Sequence, residues 1–206
     1  MGGRNLEPWI SKVEQVPQQS FRLLDVPPLP KDEGATPYGG DVLPWVFVRF
    51  MDPALTTQPR ADHWDDLTRW IETNYTPTYA GSVLTGTTSL ASLHQWMGRN
   101  MIYRQVYLSP ERGWVPEKTE ASFRKRYGDC KDLAAFFISE ARALGFKAHP
   151  VLCAIQTTHA RPEDPSDGLS FNHVIAAVEL KETLGLPAEV VTAQGRFLIL
   201  DLTASL

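Results

Sequence analysis

The order of patterns in the second half of the chain constrains its fold more than any other feature. Within "RYGDCKDLAAFFISEARALG", residues Lys131 to Leu144 place Ala134, Phe137, Ala141 and Leu144 on one helical face, and Gly145 supplies the residue type that ends such a helix. Three strand-like runs follow: "AHPVLCAIQT" (Ala148 to Thr157), "FNHVIAAVEL" (Phe171 to Leu180) and "RFLILDL" (Arg196 to Leu202). No helical pattern lies between them to carry a parallel crossover. The strands are therefore expected to pair antiparallel, with the helices packed on them, in an α+β fold.

Upstream, "HWDDLTRWIETN" repeats Trp64, Leu67 and Ile71 at helical spacing with Asp62 available as a cap. "LASLHQWMGRNMIY" repeats Leu90, Leu93, Met97 and Met101 behind Thr88 or Ser89. Both stripes read as core, and His63 and His94 on these helices read as structural or exposed. A shorter helix is expected around Glu120 to Tyr127, ended by Gly128. Nearer the start, Trp9 to Asp25 alternates loosely, as the last strands of a β-rich unit would, and then meets "VPPLPKDEGATPYGG", Val26 to Gly40. That run holds too much proline and glycine for a helix or a central strand. The expected organisation is the tail of a preceding β-rich domain and its linker over residues 1–30, then a core over residues 31–206 that includes a buried strand, "WVFVRF", at Trp45 to Phe50.

Composition removes several classes of function. A net charge of −4 leaves no basic field, and "RKRY" at Arg124 to Tyr127 is too short to follow a phosphate backbone, so no nucleic-acid partner is expected. Two cysteines, Cys130 and Cys153, make no disulfide framework, although a bridge between them stays open. The absence of CxxC and HExxH leaves no local zinc motif, and neither a metal nor another cofactor is expected. No window approaches the ~20 apolar residues of a membrane span, the first residues carry no apolar signal core, and Leu6 stands where myristoylation needs Ser or Thr.

Cys130 opens the helix at Lys131, where the positive end of a helix favours thiolate over thiol. Asp129 is its expected N-cap, which frees backbone N–H groups of the first turn to bind an oxyanion. Lys131 favours the thiolate while Asp129 and Asp132 oppose it. A thiol nucleophile also needs a base, and the base needs an acceptor that orients it. His173 lies mid-strand among apolar residues, where a polar ring needs a reason; His149 and His159 lie at a strand start and in a polar loop. Pairing "FNHVIAAVEL" with "RFLILDL" so that His173 faces Asp201 sets Ile175 against Ile199 and Ala177 against Phe197, with imidazole and carboxylate on one face. Asn172, the alternative acceptor, points to the other face. A second oxyanion donor is sought among Gln105, Trp114 and Tyr127, with no spacing rule to choose between them. The loop from Thr158 to Ser170 is expected to wall the cleft.

Taken together, "GDCKDLAAFFISEARALGFKAHPVLC", "FNHVIAAVEL" and "FLILDLTAS" resemble the transglutaminase-like superfamily, in its bacterial branch where the core follows a β-rich domain of uncharacterised function. The likeness extends upstream through "NMIYRQVYL" and "DVPPLP". It implies a papain-like core with Cys130 as nucleophile, His173 as general base and acid, and Asp201 as the orienting carboxylate. It further implies acyl transfer on a peptide or protein substrate through a Cys thioester, by a cysteine protease, amidase or transglutaminase. A peptide-binding module without turnover on the same fold is the alternative. Related bacterial proteins are often exported. The chain stops soon after Asp201, where the family usually continues, so a piece of a larger polypeptide is expected, with an exposed strand edge near Leu202.

Overall fold

The computed structural model describes residues 2–4, 13–16, 20–23, 45–47, 64–79, 82–105, 113–155 and 171–204. The chain divides into two compact units, Met1–Asp52 with Arg161–Pro165, and Pro53–Ala160 with Ser166–Leu206. In the first, β1 (Gly2–Arg4) pairs antiparallel with β4 (Trp45–Phe47), and β2 (Val13–Val16) with β3 (Ser20–Leu23). The expected domain boundary near residue 30, the Asp62 cap, His63, and the whole loop from Thr158 to Ser170 with His159 lie outside the described residues.

The second unit carries α1 (Trp64–Tyr75), α2 (Leu90–Asn100), β5 (Ile102–Tyr103), α3 (Thr119–Lys125), β6 (Tyr127–Gly128), α4 (Cys130–Ala143), β7 (Ala148–Cys153), β8 (His173–Leu180), β9 (Glu189–Thr192) and β10 (Gly195–Leu200). Helix α2 starts where Ser89 and Ser92 form a reciprocal capping box, and α4 starts on another between Asp129 and Asp132. Gly145, at φ 88, takes the left-handed position after α4. Helix α3 departs from expectation: Arg126, at φ 61, is its left-handed terminator, not Gly128. Arg126 offsets that strain by laying its guanidinium over Phe123 and Trp96, at 4.1 and 4.9 Å. Gly128 serves a close approach instead. A Cβ there would lie 2.6 Å from the Asp132 Cβ, so only glycine lets the chain pass.

Strands β7, β8, β10 and β9 form one antiparallel sheet in that order. Strand β9 has no counterpart among the sequence patterns because Val190 and Val191 are both exposed and give no inward alternation. By forming a hairpin with β10 it takes the edge, and Leu202 packs against the core instead of lying on an exposed strand edge. Helix α4 is buried from Lys131 to Ala141, and its Leu133, Phe136, Phe137 and Ile138 meet Ala148, Ala176 and Val178 of the sheet and Leu93 and Met97 of α2. Each fully buried Phe of this kind contributes about 1.5–3 kcal/mol. Val174, Ala176 and Val178 thus face the core, which puts His173 on the alternate set of β8 side chains.

Candidate active site

Two polar devices fix the start of α4. The Asp129 carboxylate accepts from the Asp132 N–H at 3.2 Å and pairs with Lys131, the two side chains being only 5% and 3% exposed. The Asp132 carboxylate turns back to accept from Asp129 N at 3.3 Å and Glu117 N at 2.8 Å, across the space that Gly128 leaves open. Cys130 is therefore held at the first helical position with its own N–H outside the intrahelical ladder. Burial pushes its thiol up and Asp129 adds to that, while N–H groups of Val174 and Lys131 and the Lys131 charge pull it back. The net direction is upward, so the helix end does not by itself make a resting thiolate.

Across from α4, His173 Nε2 meets Asp201 Oδ2 at 3.0 Å. The route differs from the expected register. Ala177 faces Ile199 and Glu179 faces Phe197, so the strands are slid by two residues from the pairing that set His173 opposite Asp201. A slip of two preserves the face, and the diagonal neighbours on one face lie ~7 Å apart, within reach of an imidazole and a carboxylate. Burial raises the Asp201 carboxyl, but bonds from Thr203 Oγ1 at 2.7 Å, Thr203 N at 2.9 Å and His173 outweigh it and hold it below the usual range. With Nε2 on Asp201, Nδ1 is the ring nitrogen left to exchange a proton with a thiol.

Two participants carry no signal in the sequence. Cys153 is the register partner of His173, and its thiol donates to the His173 carbonyl at 3.8 Å. Burial pushes this thiol up to about 11, with the charges of Asp201 and Cys130 adding to the effect. Both cysteines are free, so the bridge left open above is not formed. The second participant is Tyr75, fully buried in a cluster with Trp114, Ala134 and Val174 against which Cys130 packs. Tyr75 OH and Trp114 Nε1 are buried without a hydrogen-bond partner among the described residues. Burial raises the Tyr75 hydroxyl first, and negative charge at Cys130 second. Of the other expected donors, Tyr127 lies under the Arg104 guanidinium and Gln105 is exposed. His94 lines a cavity beside Met97, and His149 pairs with Glu179 at 3.1 Å, away from Cys130. Among the described residues no group of three His, Cys, Asp or Glu is placed to hold a metal ion, and no helix is long and apolar enough to cross a membrane.

Among curated proteins nothing matches the chain. Two crystal structures are similar to it: a candidate protease from Parabacteroides distasonis, 9% identical with a TM-score of 0.41, and a candidate cysteine protease from Cytophaga hutchinsonii, 15% identical with a TM-score of 0.36. The alignments cover 65% and 74% of this chain but 26% and 43% of those proteins, so the chain spans less than half the length of either. Residues 73–182, more than half of the chain and including Cys130 and His173, match the sequence model of the transglutaminase-like superfamily. The chain belongs to the transglutaminase-like superfamily.

Proposed function

We propose that this protein is an acyl-transfer enzyme in which Cys130 forms a thioester with a peptide or glutamine carboxamide substrate. The observation that carries the reading is the His173–Asp201 bond at 3.0 Å, made by the strand whose Val174 belongs to the cluster against which Cys130 packs. Asp201 fixes the ring with Nε2–H donating, so Nδ1 takes the thiol proton as sulfur attacks the carbonyl carbon. The raised resting thiol fits a proton that leaves only as the substrate arrives. The oxyanion accepts from Cys130 N–H, and the unpartnered Trp114 Nε1 or Tyr75 OH supplies the second bond. His173 then protonates the departing amine, leaving an acylated Cys130. Water or a lysine amine, deprotonated by His173, attacks that thioester and restores the thiol.

Iodoacetamide tests the reading directly. At pH 8, Cys130 is expected to alkylate faster than Cys153, and the Cys130 rate is expected to fall in His173→Ala. Equal, slow alkylation of both cysteines overturns the enzyme reading and favours a peptide-binding module. Peptide cleavage measured with and without an added primary amine separates hydrolysis from transamidation.

A further inference from the structure

A cavity of about 330 Å³ lies between α2, β5 and the turn after β10. It touches the candidate site on two sides. Tyr103, at its mouth, is the register partner of Gly128, two residues before Cys130, and the chain after it is tied down by Arg104 N to Gly128 O at 2.9 Å. On the opposite wall, Thr203 makes both of its bonds to Asp201. Anything bound at Cys130 and leaning toward Asp201 meets this opening.

The lining decides what fits. Met97, Met101 and Leu202 supply the apolar part of the lining and uncharged groups such as the Thr203 hydroxyl its polar part, and Ile102 and Tyr103 at the mouth are exposed large side chains, 66% and 42% accessible. Among the described residues no Lys, Arg, Asp or Glu lines the cavity, and its ionisable groups are His94 and Tyr103. A charged side chain entering it would lose hydration without gaining an ion pair. Methionine walls adapt to varied shapes, so they admit several large side chains and not one.

We propose that this cavity is the specificity pocket of the enzyme and takes a large uncharged side chain, Leu, Met, Phe or Tyr, next to the bond that Cys130 attacks. The proposal rests on the acyl-transfer reading above, and it adds the substrate class. Gly98 opens the pocket on the α2 side and Ala204 on the other, so a larger residue at either position fills it.

The test uses tripeptidyl chloromethyl ketones that vary one residue at a time among Leu, Phe, Gly, Asp and Lys. The Cys130 thiolate displaces chloride and forms a thioether, which mass spectrometry follows. At one position the Leu or Phe probe is expected to react about tenfold or more faster than the Asp and Lys probes, the range that a hydrophobic pocket gives. Gly98→Leu, which also favours the α2 helix, and Ala204→Leu are each expected to erase that ratio. Equal rates at every position, with iodoacetamide still alkylating Cys130 in a His173-dependent way, overturn the pocket and leave the enzyme reading standing. A preference that survives in both filled variants also overturns it. Loss of His173-dependent alkylation overturns both readings together.

Discussion

The cysteine end and the carboxylate end of the candidate site are held in opposite ways. Cys130 starts a helix that is buried through Ala141, and polar side chains inside the core fasten that helix: Lys131 on Asp129, and Glu140 on Ser82 Oγ and Val83 N at 2.8 and 2.7 Å. Asp201 follows a strand whose hairpin partner is largely exposed, and its own side chain is 44% accessible while His173 is 7%. Local bonds from Thr203 orient the carboxylate where burial does not. On the proposed reading the difference separates stability from chemistry: substitutions near α4 are expected to cost stability, and one at Asp201 to spare the fold and disturb proton transfer.

The largest effect is expected from Lys131→Met. It leaves the buried Asp129 carboxylate without its partner and should lower unfolding free energy by about 3–5 kcal/mol in urea titrations. Asp201→Asn tests the other end. Cleavage of a preferred peptide should fall on the order of a hundredfold or more in kcat/KM, with the urea midpoint nearly unchanged. A large stability loss in that variant would erase the distinction.

The third expectation concerns pH. Thiols react as thiolates, so Cys153, with its thiol pushed up to about 11, should stay nearly inert to iodoacetamide at pH 8 and label only as pH approaches 11. Alkylation of Cys130 should keep climbing beyond pH 9, because burial and Asp129 move it in the same direction.

The smallest effect is at Glu189, whose carboxylate accepts from Leu184 N at 2.6 Å, Leu186 N at 3.0 Å and Thr183 Oγ1 at 2.8 Å and is held down to about 2. A depressed carboxyl contributes order that is present above its ordinary value of 4.5 and is lost as pH falls through about 2. Protection factors of the amides of residues 184–196, taken against the intrinsic exchange rate at each pH, should therefore fall between pH 4 and pH 2, or in Glu189→Gln at neutral pH, while α4 amides stay protected.

What the sequence carried, it carried through local rules. Asp129 and Gly145 mark the ends of α4, period-three-to-four stripes place α1 and α2, and strand parity puts His173 and Asp201 on one face. The pairing register was not legible, because the connection between β8 and β10 contains β9, an exposed strand with no alternation to reveal it. Gly128 looked like a helix terminator because glycine usually is one. Its real constraint, the Asp132 side chain folding back over it, exists only in three dimensions. Tyr75 and Cys153 come from α1 and β7, far in sequence from Cys130, and no spacing connects them to it.

The Cys153 thiol on the His173 carbonyl has one more consequence. When peroxide converts Cys130 to a sulfenic acid, a second thiol pushed up to about 11 is a poor attacker for condensation with it. Oxidation is then expected not to park the sulfur in a reversible intramolecular bridge, and further oxidant to carry it to the sulfinic acid. The same arrangement leaves a protecting role to thiols from outside the protein.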